Sequence, residues 1–149
     1  MACGEGTAII GCSPQQVLEF VLDVERYRLA DRKIGRVHWV RRDGNHGQVK
    51  HNGRLLGVAT PPIVLAFTLT PWSRLDFQIV TAPWPLEGFQ GLFTCEQTAQ
   101  GTRVVHRECF TLHPPAGLLD PLFSAWLARD TPQEVIRRIK QFLERDHGS

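Results

Sequence analysis

The chain has 149 residues, of which 42% are hydrophobic and 21% charged, the size and composition of one ordinary globular domain. No apolar run reaches the roughly 18 residues that a membrane-spanning helix needs. The first residues lack the basic and apolar segments of a secretory signal. We therefore predict a single domain over residues 1–149, located in the cytoplasm and without membrane insertion.

The net charge of +2 conceals an uneven distribution of basic residues. Nine Lys and Arg side chains but only two Asp side chains lie between Arg26 and Arg54. A local basic field of this kind attracts phosphate, carboxylate or an anionic surface. The alternative is a solvated hairpin face. Nucleic-acid binding is not expected, because too few aromatic residues are interleaved with the basic ones.

The four cysteines are Cys3, Cys12, Cys95 and Cys109, and none belongs to a CxxC pair or a zinc-binding spacing. We expect four reduced thiols and no disulfide, as in most cytosolic proteins. The sequence contains none of the common hydrolase, nucleotide-binding or metalloprotease motifs. It therefore predicts no metal site and no cofactor.

Two helical elements are predicted near the start of the chain, after a short strand at residues 5–11. Ser13 can cap free backbone N–H groups and Pro14 suits the first helical position, so a helix begins here. Apolar residues at helical spacing continue it to Leu22, and a second short helical piece covers residues 23–31.

Six strands follow, because the apolar period changes to two after residue 33. They are predicted at residues 34–41, 48–56, 63–70, 74–80, 89–97 and 102–112. Pro61-Pro62 and Pro114-Pro115 are expected to interrupt strand pairing, since proline has no backbone N–H.

The end of the chain is predicted to be helical. Its apolar residues recur at helical spacing in two groups, at positions 118, 119, 122, 123, 126 and 127 and at positions 135, 136, 139, 142 and 143. Between the groups, Thr131-Pro132-Gln133-Glu134 has the pattern of a capping box with proline at the first helical position. We therefore predict one long helix that bends or restarts near Thr131.

The order of the elements predicts an α+β fold. Successive strands joined by short turns form an antiparallel sheet of about seven strands, and the long C-terminal helix is the element available to cover one face. A curved sheet wrapped around this helix, with two short helices after the first strand, leaves an apolar cavity. A cone-shaped α+β fold does not explain the C-terminal helix, and a lipocalin-type barrel lacks the early helix pair.

Three segments resemble the START-like, or SRPBCC, superfamily: SPQQVLEFVLDVERY at 13–27, LEGFQGLF at 86–93 and GTRV at 101–104. Among its branches, the polyketide cyclase/dehydrase and coenzyme-Q-binding proteins look most similar. This resemblance implies a helix-grip fold that binds a hydrophobic or amphipathic small molecule, such as a lipid, an isoprenoid quinone or a polyketide. Some relatives are cyclases or dehydratases, some are carriers, and others assist protein partners, so the fold does not decide the activity.

One pair of polar residues is expected inside the apolar lining of the last strand. Alternation places His106 and Glu108 on the same strand face as Val104, while the neighbouring arginines take the wet face. A carboxylate beside an imidazole can orient it and raise its basicity, which suits proton abstraction or elimination of water. The alternative is a buried pair that is satisfied by water or by each other.

Aromatic and aliphatic residues at strand and helix positions are numerous enough to line a cavity, although plain core packing is the more ordinary role for each. The expected ligand-binding residues are Tyr27, Trp39, Leu65, Phe67, Leu75, Phe77, Phe93, Val104, Phe110, Phe123 and Trp126.

Three hypotheses for the function follow. The first is a carrier or binding protein that holds a hydrophobic ligand in the cavity without changing it. The second is a cyclase or dehydratase that uses His106 and Glu108 as catalytic residues. The third is a protein-interaction module that presents its basic hairpin to an acidic partner. The sequence names neither the ligand nor the oligomeric state.

Overall fold

A curved seven-stranded antiparallel sheet dominates the computed structural model, which describes residues 1–55, 58–84, 86–119, 121–122, 125 and 131–147. The strands are β1 (Ala2–Ile10), β2 (Ile34–Asp43), β3 (His46–Leu55), β4 (Val58–Thr70), β5 (Arg74–Thr81), β6 (Leu86–Thr98) and β7 (Gly101–Leu112). Their order in the sheet is β1-β7-β6-β5-β4-β3-β2. Sequential strands therefore pair as hairpins, and β1 closes onto the last strand rather than onto β2.

Among the helices whose bounds fall in the described ranges, only the last one is long. They are α1 (Pro14–Leu22), α2 (Val24–Tyr27), a 3₁₀ turn (Ala116–Leu119) and the C-terminal helix (Thr131–His147). Of the helices in the described ranges, none combines the length and apolar character needed to cross a membrane. The fold is thus the predicted helix-grip arrangement, with two short helices after the first strand.

The first helix begins where the sequence predicts. Ser13 accepts a hydrogen bond from the backbone N–H of Gln16, and the Gln16 side chain accepts one from the backbone N–H of Ser13. This reciprocal capping box satisfies two donors that a helix start otherwise leaves unpaired. It fixes α1 against the sheet through Val17, Leu18 and Val21, all of them fully buried.

The C-terminal helix packs on the inner face of the sheet beside β1. The side-chain amide of Gln133 pairs with both the backbone N–H and the carbonyl of Thr7, at 3.0 and 3.1 Å. Gly6 lies directly under the helix, because a Cβ there would come within 2.6 Å of the Gln133 backbone. The buried face of the helix, Val135, Ile136, Ile139 and Leu143, completes the main apolar core.

The described residues of the predicted apolar stripe before this helix do not cover the sheet. Leu118, Leu119 and Leu122 are 83%, 47% and 69% exposed. Helical spacing predicts that one face of a helix is buried, but it does not predict which element covers that face. The apolar residues of the C-terminal helix already pack against β1 and α1. The break is predicted near Thr131, where the C-terminal helix begins, and residues 126–130 just before it lie outside the described residues.

The capping box predicted at the start of the C-terminal helix is not formed. Within the described residues, the buried hydroxyl of Thr131 has no hydrogen-bond partner. Glu134, the expected reciprocal acceptor, pairs with the Arg138 side chain one helical turn later. The Glu134 carboxylate is engaged in an ion pair along the helix and therefore does not accept a hydrogen bond at the helix start.

Pro61 and Pro62 do not interrupt the sheet, contrary to the prediction. Both lie within β4, and Pro62 is opposite Asn52 of β3. The pairing of β4 with β5 begins only at Val64, so this part of β4 has a neighbour on one side alone. Proline is tolerated on such a strand because its missing N–H is not needed on the open side.

The expectation of four reduced thiols is also wrong. Cys3 and Cys109 form a disulfide, with a sequence separation of 106 positions and a Cα–Cα distance of 4.1 Å. They are directly opposite each other on β1 and β7, a pairing that sequence spacing cannot reveal. Because disulfides persist mainly in oxidising compartments, the cytoplasmic location stays a prediction.

Candidate functional site

The polar residues predicted on β7 lie on the inner face of the sheet. His106 and Glu108 are each 2% exposed, and Val104 on the same face is fully buried. The buried face of β7 is therefore the face that the alternation of residues predicted. The His106 ring stacks on Phe93, with ring centroids 4.0 Å apart, which fixes its plane against the neighbouring strand β6.

Hydrogen bonds hold the His106 imidazole at both nitrogens. Nε2 lies 2.8 Å from Oε1 of Glu108, and Nδ1 lies 3.1 Å from the backbone carbonyl oxygen of Leu92. The contact with Glu108 and the contact with the β6 backbone together fix the orientation of the imidazole. A buried pair whose polar groups satisfy each other was the alternative to a catalytic role, and His106 fits that description.

Two residues before β2 extend this pair into a larger buried cluster. The Lys33 ammonium lies 3.2 Å from Oε1 of Glu108 and donates a hydrogen bond to Asp31 at 2.8 Å. Asp31 also accepts a hydrogen bond of 2.9 Å from the hydroxyl of Tyr27, one helical turn earlier. The α2–β2 junction is thereby connected to β7 across the inner face of the sheet.

The hydrogen-bond pattern sets the charges of this cluster. Lys33 carries the positive charge and Asp31 the negative charge of its closest ion pair, and the Lys33 ammonium also faces Glu108. The carbonyl oxygen of Leu92 only accepts, so Nδ1 of His106 carries a proton, and Nε2 faces the Glu108 carboxyl group. Pairing of opposite charges is what allows charged groups to remain buried.

The shifts in pKa agree with this assignment. Burial alone would raise the pKa of Asp31, but the charge of Lys33 and its hydrogen bonds hold that pKa below the usual value. Burial alone would lower the pKa of Lys33, but Asp31 and then Glu108 outweigh it and raise the pKa. Burial, with the charges of Asp31 and Glu108, raises the pKa of Tyr27, so Tyr27 remains a neutral hydrogen-bond donor.

One oxygen of the cluster remains unsatisfied. In the described part of the chain, the buried Oε2 of Glu108 has no hydrogen-bond partner. The residues opposite Glu108 on both neighbouring strands are glycines, Gly91 on β6 and Gly4 on β1. No side chain from these two positions can therefore donate to the carboxylate, and the ring of Phe89 lies over Gly91, 3.1 Å from where a Cβ would be. A buried acceptor without a partner is costly, about 1–3 kcal/mol, and a donor supplied by a ligand or a water would remove that cost.

Most of the predicted lining residues belong to the buried inner face. Tyr27, Phe67, Leu75, Phe93 and Val104 are part of the main core cluster, and Tyr27 meets Phe93 edge to face. Leu65 belongs to a second cluster with Val49 and Val24, and half-buried Phe77 touches both clusters.

The remaining predicted lining residues lie at the margins of these clusters. Phe110 is half-buried and packs on Phe89, with ring centroids 4.8 Å apart. Trp39 is half-buried on β2, with the guanidinium carbon of Arg41 at 4.2 Å from its ring centroid. Phe123 and Trp126 lie outside the described residues.

Asp31 and Lys33 were missed as site residues. The sequence analysis counted both only in the charge of the basic segment. A usable signal was present, because Tyr27 and Asp31 are one helical turn apart and Lys33 follows before an apolar strand. What the sequence could not show is that this junction meets β7, 75 positions further along the chain.

A surface cleft of about 230 Å³ lies elsewhere, where the ends of β5, β6 and β7 meet Met1. Gln78, Gln90 and Thr111 supply its polar side, and no residue of the His106–Glu108 cluster lines it. It is smaller than the roughly 300–1,000 Å³ typical of small-molecule pockets. The buried cluster, not this cleft, is therefore the candidate site.

Residues 1–144 match the family described as polyketide cyclase / dehydrase and lipid transport, and the chain belongs to this family. This is one of the two branches that the sequence motifs indicated. Among curated proteins, none matches the chain.

Solved structures with the same fold are only distantly similar in sequence. The protein TTHA0849 from Thermus thermophilus is 16% identical, with a TM-score of 0.80 over 97% of this chain and 98% of that one. A START superfamily protein from Mycobacterium smegmatis is 12% identical, with a TM-score of 0.75 over 97% and 99%. The di-domain ARO/CYC StfQ of the steffimycin biosynthetic pathway is 15% identical, with a TM-score of 0.76 over 99% of this chain and 52% of that protein. At these identities the likeness establishes the fold alone.

Proposed function

We propose that the protein binds a hydrophobic or amphipathic small molecule on the inner face of the sheet, between the sheet and the C-terminal helix, and acts as a carrier or binding protein. The observation that carries this proposal is the unpartnered Oε2 of Glu108, which belongs to the buried polar cluster and lies opposite two glycines on the neighbouring strands. An apolar body with one polar group fits such a surface, because the polar group satisfies the carboxylate and the body replaces water against aromatic rings.

The geometry favours a carrier over the enzyme for which His106 is the base. Both nitrogens of His106 are engaged, with Glu108 and with the Leu92 carbonyl. A general base needs a free lone pair within reach of the substrate proton, and both His106 nitrogens already face protein partners.

A cyclase or dehydratase remains the second candidate, supported by the family description and by the likeness to StfQ. In that case the base is Oε2 of Glu108 rather than His106, with His106 and Lys33 holding Oε1. The third hypothesis, an interaction module, has its basic residues on the exposed β2–β3 hairpin and needs no cavity ligand.

Native mass spectrometry of freshly purified protein tests the carrier directly. We expect a co-purified small molecule on the wild-type chain and a lower bound fraction on Glu108→Gln. Glu87→Gln is the matched control, since it makes the same chemical change at an exposed position. A wild-type chain without any bound molecule, together with no binding from lipid or polyketide extracts, contradicts the proposal.

The identified molecule then separates carrier from enzyme. Replacing His106 with Ala should weaken binding by roughly 5- to 150-fold if it orients the anchor, which corresponds to about 1–3 kcal/mol. A carrier shows no turnover with either protein. Turnover by the wild type that falls about 10²–10⁴-fold in Glu108→Gln, with binding retained, indicates the cyclase instead.

A further inference from the structure

A second buried side chain on the inner face presents an unpartnered polar atom. His51 on β3 is 3% exposed. Its Nδ1 lies 2.9 Å from the backbone carbonyl oxygen of Asn52, which can only accept, so Nδ1 carries the proton. Nε2 then presents a lone pair, and it is buried without a hydrogen-bond partner in the described ranges of the chain.

The surroundings of His51 keep this lone pair available. Its neighbours across the sheet are Val37 on β2 and Ile63 on β4, both apolar. Burial lowers the pKa of His51 even though the hydrogen bond with Asn52 and the charge of Asp31 oppose the shift. The ring is therefore neutral near pH 7, and Nε2 is an acceptor without a partner among the described residues, although the charges of Asp31 and Arg28 act on the ring.

His51 lies beside the charged cluster that holds Glu108. The carbonyl oxygen of Lys33 accepts a hydrogen bond of 2.7 Å from the backbone N–H of Arg54, three residues beyond His51. The Lys33 side chain reaches Glu108 in the other direction, at 3.2 Å. The Asp31–Lys33 segment therefore pairs with β3 near His51 and contacts Glu108 on β7, and the charge of Asp31 also acts on the His51 ring.

We propose that His51 is a second ligand-contacting residue, and that the bound molecule donates hydrogen bonds to two buried acceptors, Nε2 of His51 and Oε2 of Glu108. The ligand class is an apolar molecule with at least two hydroxyl or N–H groups. A quinone or a simple ester offers only acceptors and leaves both protein atoms unsatisfied. This inference rests on the proposed function, because it assumes a ligand on the inner face.

A pair of probes that differ only in hydrogen-bond donation tests the inference. A dihydroxynaphthalene and the dimethyl ether of the same compound have the same ring system, but only the diol donates. Titration calorimetry should show that the wild-type chain binds the diol at least about tenfold more tightly than the ether. Equal affinity for the two probes overturns the inference while leaving the proposed function intact.

Substitutions at His51 assign the effect to its Nε2. His51→Leu keeps an apolar side chain without an acceptor and should lose about 5- to 50-fold in affinity for the diol, with little change for the ether. His51→Gln keeps an acceptor and should retain most of the diol affinity. Equal losses for the diol and the ether in His51→Leu indicate a packing role and overturn the inference.

Nitrogen NMR of the unaltered chain gives a readout that does not depend on a variant folding. The ¹⁵N signal of Nε2 in His51 should shift when the diol is added and stay in place with the ether. An unmoved signal at saturating diol overturns the inference, as does failure of the diol to bind. The proposed function fails with it only if native mass spectrometry also finds no bound molecule.

Discussion

Lys33 occupies an unusual position for a lysine. Its side chain is 18% exposed and lies between two carboxylates that are themselves buried. Removing one member of a buried ion pair is much more damaging than replacing all members, because it leaves an uncompensated charge. The stability of the protein should therefore depend on Lys33 more than on any exposed basic residue.

Lys33→Met should lower the free energy of unfolding by about 3–5 kcal/mol, measured by urea denaturation. The substitution keeps an unbranched apolar side chain but leaves Asp31 and Glu108 without the ammonium that faces both of them. Arg74→Met is the control, since Arg74 forms an exposed ion pair with Asp76. Pairs of that kind contribute roughly 0–1 kcal/mol, so equal costs for the two variants contradict the charge-balance argument.

Asp31 should make stability depend on pH in the acid range. Its pKa in the folded chain is held below the unfolded value of about 3.9. A group of this kind contributes stability above the unfolded pKa and loses it as the pH falls through the folded pKa. The stability difference between wild type and Asp31→Asn should be constant above about pH 5 and shrink below about pH 4.

Urea unfolding measured at a series of pH values checks this expectation. Asp43→Asn is a matched control at an exposed position, and its difference from wild type should stay small throughout. If the Asp31→Asn difference stays constant down to the acid transition, Asp31 is not ionised in the cluster as described.

At the scale of the elements, the first strand joins the C-terminal helix to the sheet. Lys140 donates a hydrogen bond to the carbonyl of Ile9, and Glu144 accepts one from the backbone N–H of Gly11. Gly6 lets the start of the helix approach β1 closely. Helix position and strand position are therefore coupled from Gly6 to the end of β1.

Gly6→Ala should destabilise the protein by about 1–3 kcal/mol or more, because the added methyl meets helix backbone that cannot rotate away. Gly88→Ala is the matched control, since a Cβ there makes ordinary contact with Thr111 at 3.6 Å. Thermal unfolding of both variants measures the difference. A Gly6→Ala protein as stable as Gly88→Ala shows that the helix does not rest on Gly6.

The Cys3–Cys109 disulfide joins β1 to its neighbour in the sheet, β7. Thiol titration of the denatured, unreduced chain should count two thiols, from Cys12 and Cys95, rather than four. Cys3→Ser should cost about 2–4 kcal/mol, because the bond closes a long loop and constrains the unfolded chain. Cys95→Ser serves as the control. Four titrated thiols contradict the bond.

At the scale of the whole molecule, the ligand is expected to act as a stabiliser. A molecule that binds only the folded chain at 100 times its Kd adds about 2.7 kcal/mol. For a chain of this size that shifts Tm by roughly 5–10 °C. Natively purified protein should therefore melt higher than the same protein unfolded in guanidinium, desalted and refolded. Adding back the organic extract of the native sample should restore the Tm, and identical melting of both samples without an effect of the extract contradicts a co-purified ligand.

Local sequence signals determined most of the elements. Ser13-Pro14 predicted the start of α1, and the two-residue period predicted every strand after it, because capping and alternation depend on neighbours in the chain. Alternation also placed His106 and Glu108 on the buried face of β7. The motifs at 13–27, 86–93 and 101–104 indicated the START-like family.

The tertiary structure alone decided how distant segments meet. The pairing of β1 with β7 brings Cys3 to Cys109, and the curvature of the sheet brings Lys33 to Glu108. It also left Leu118 and Leu122 exposed and admitted Pro62 into β4, where one side of the strand is open. Periodicity and propensity report on the next few residues of the chain, whereas a buried charge cluster or a disulfide depends on which strands become neighbours.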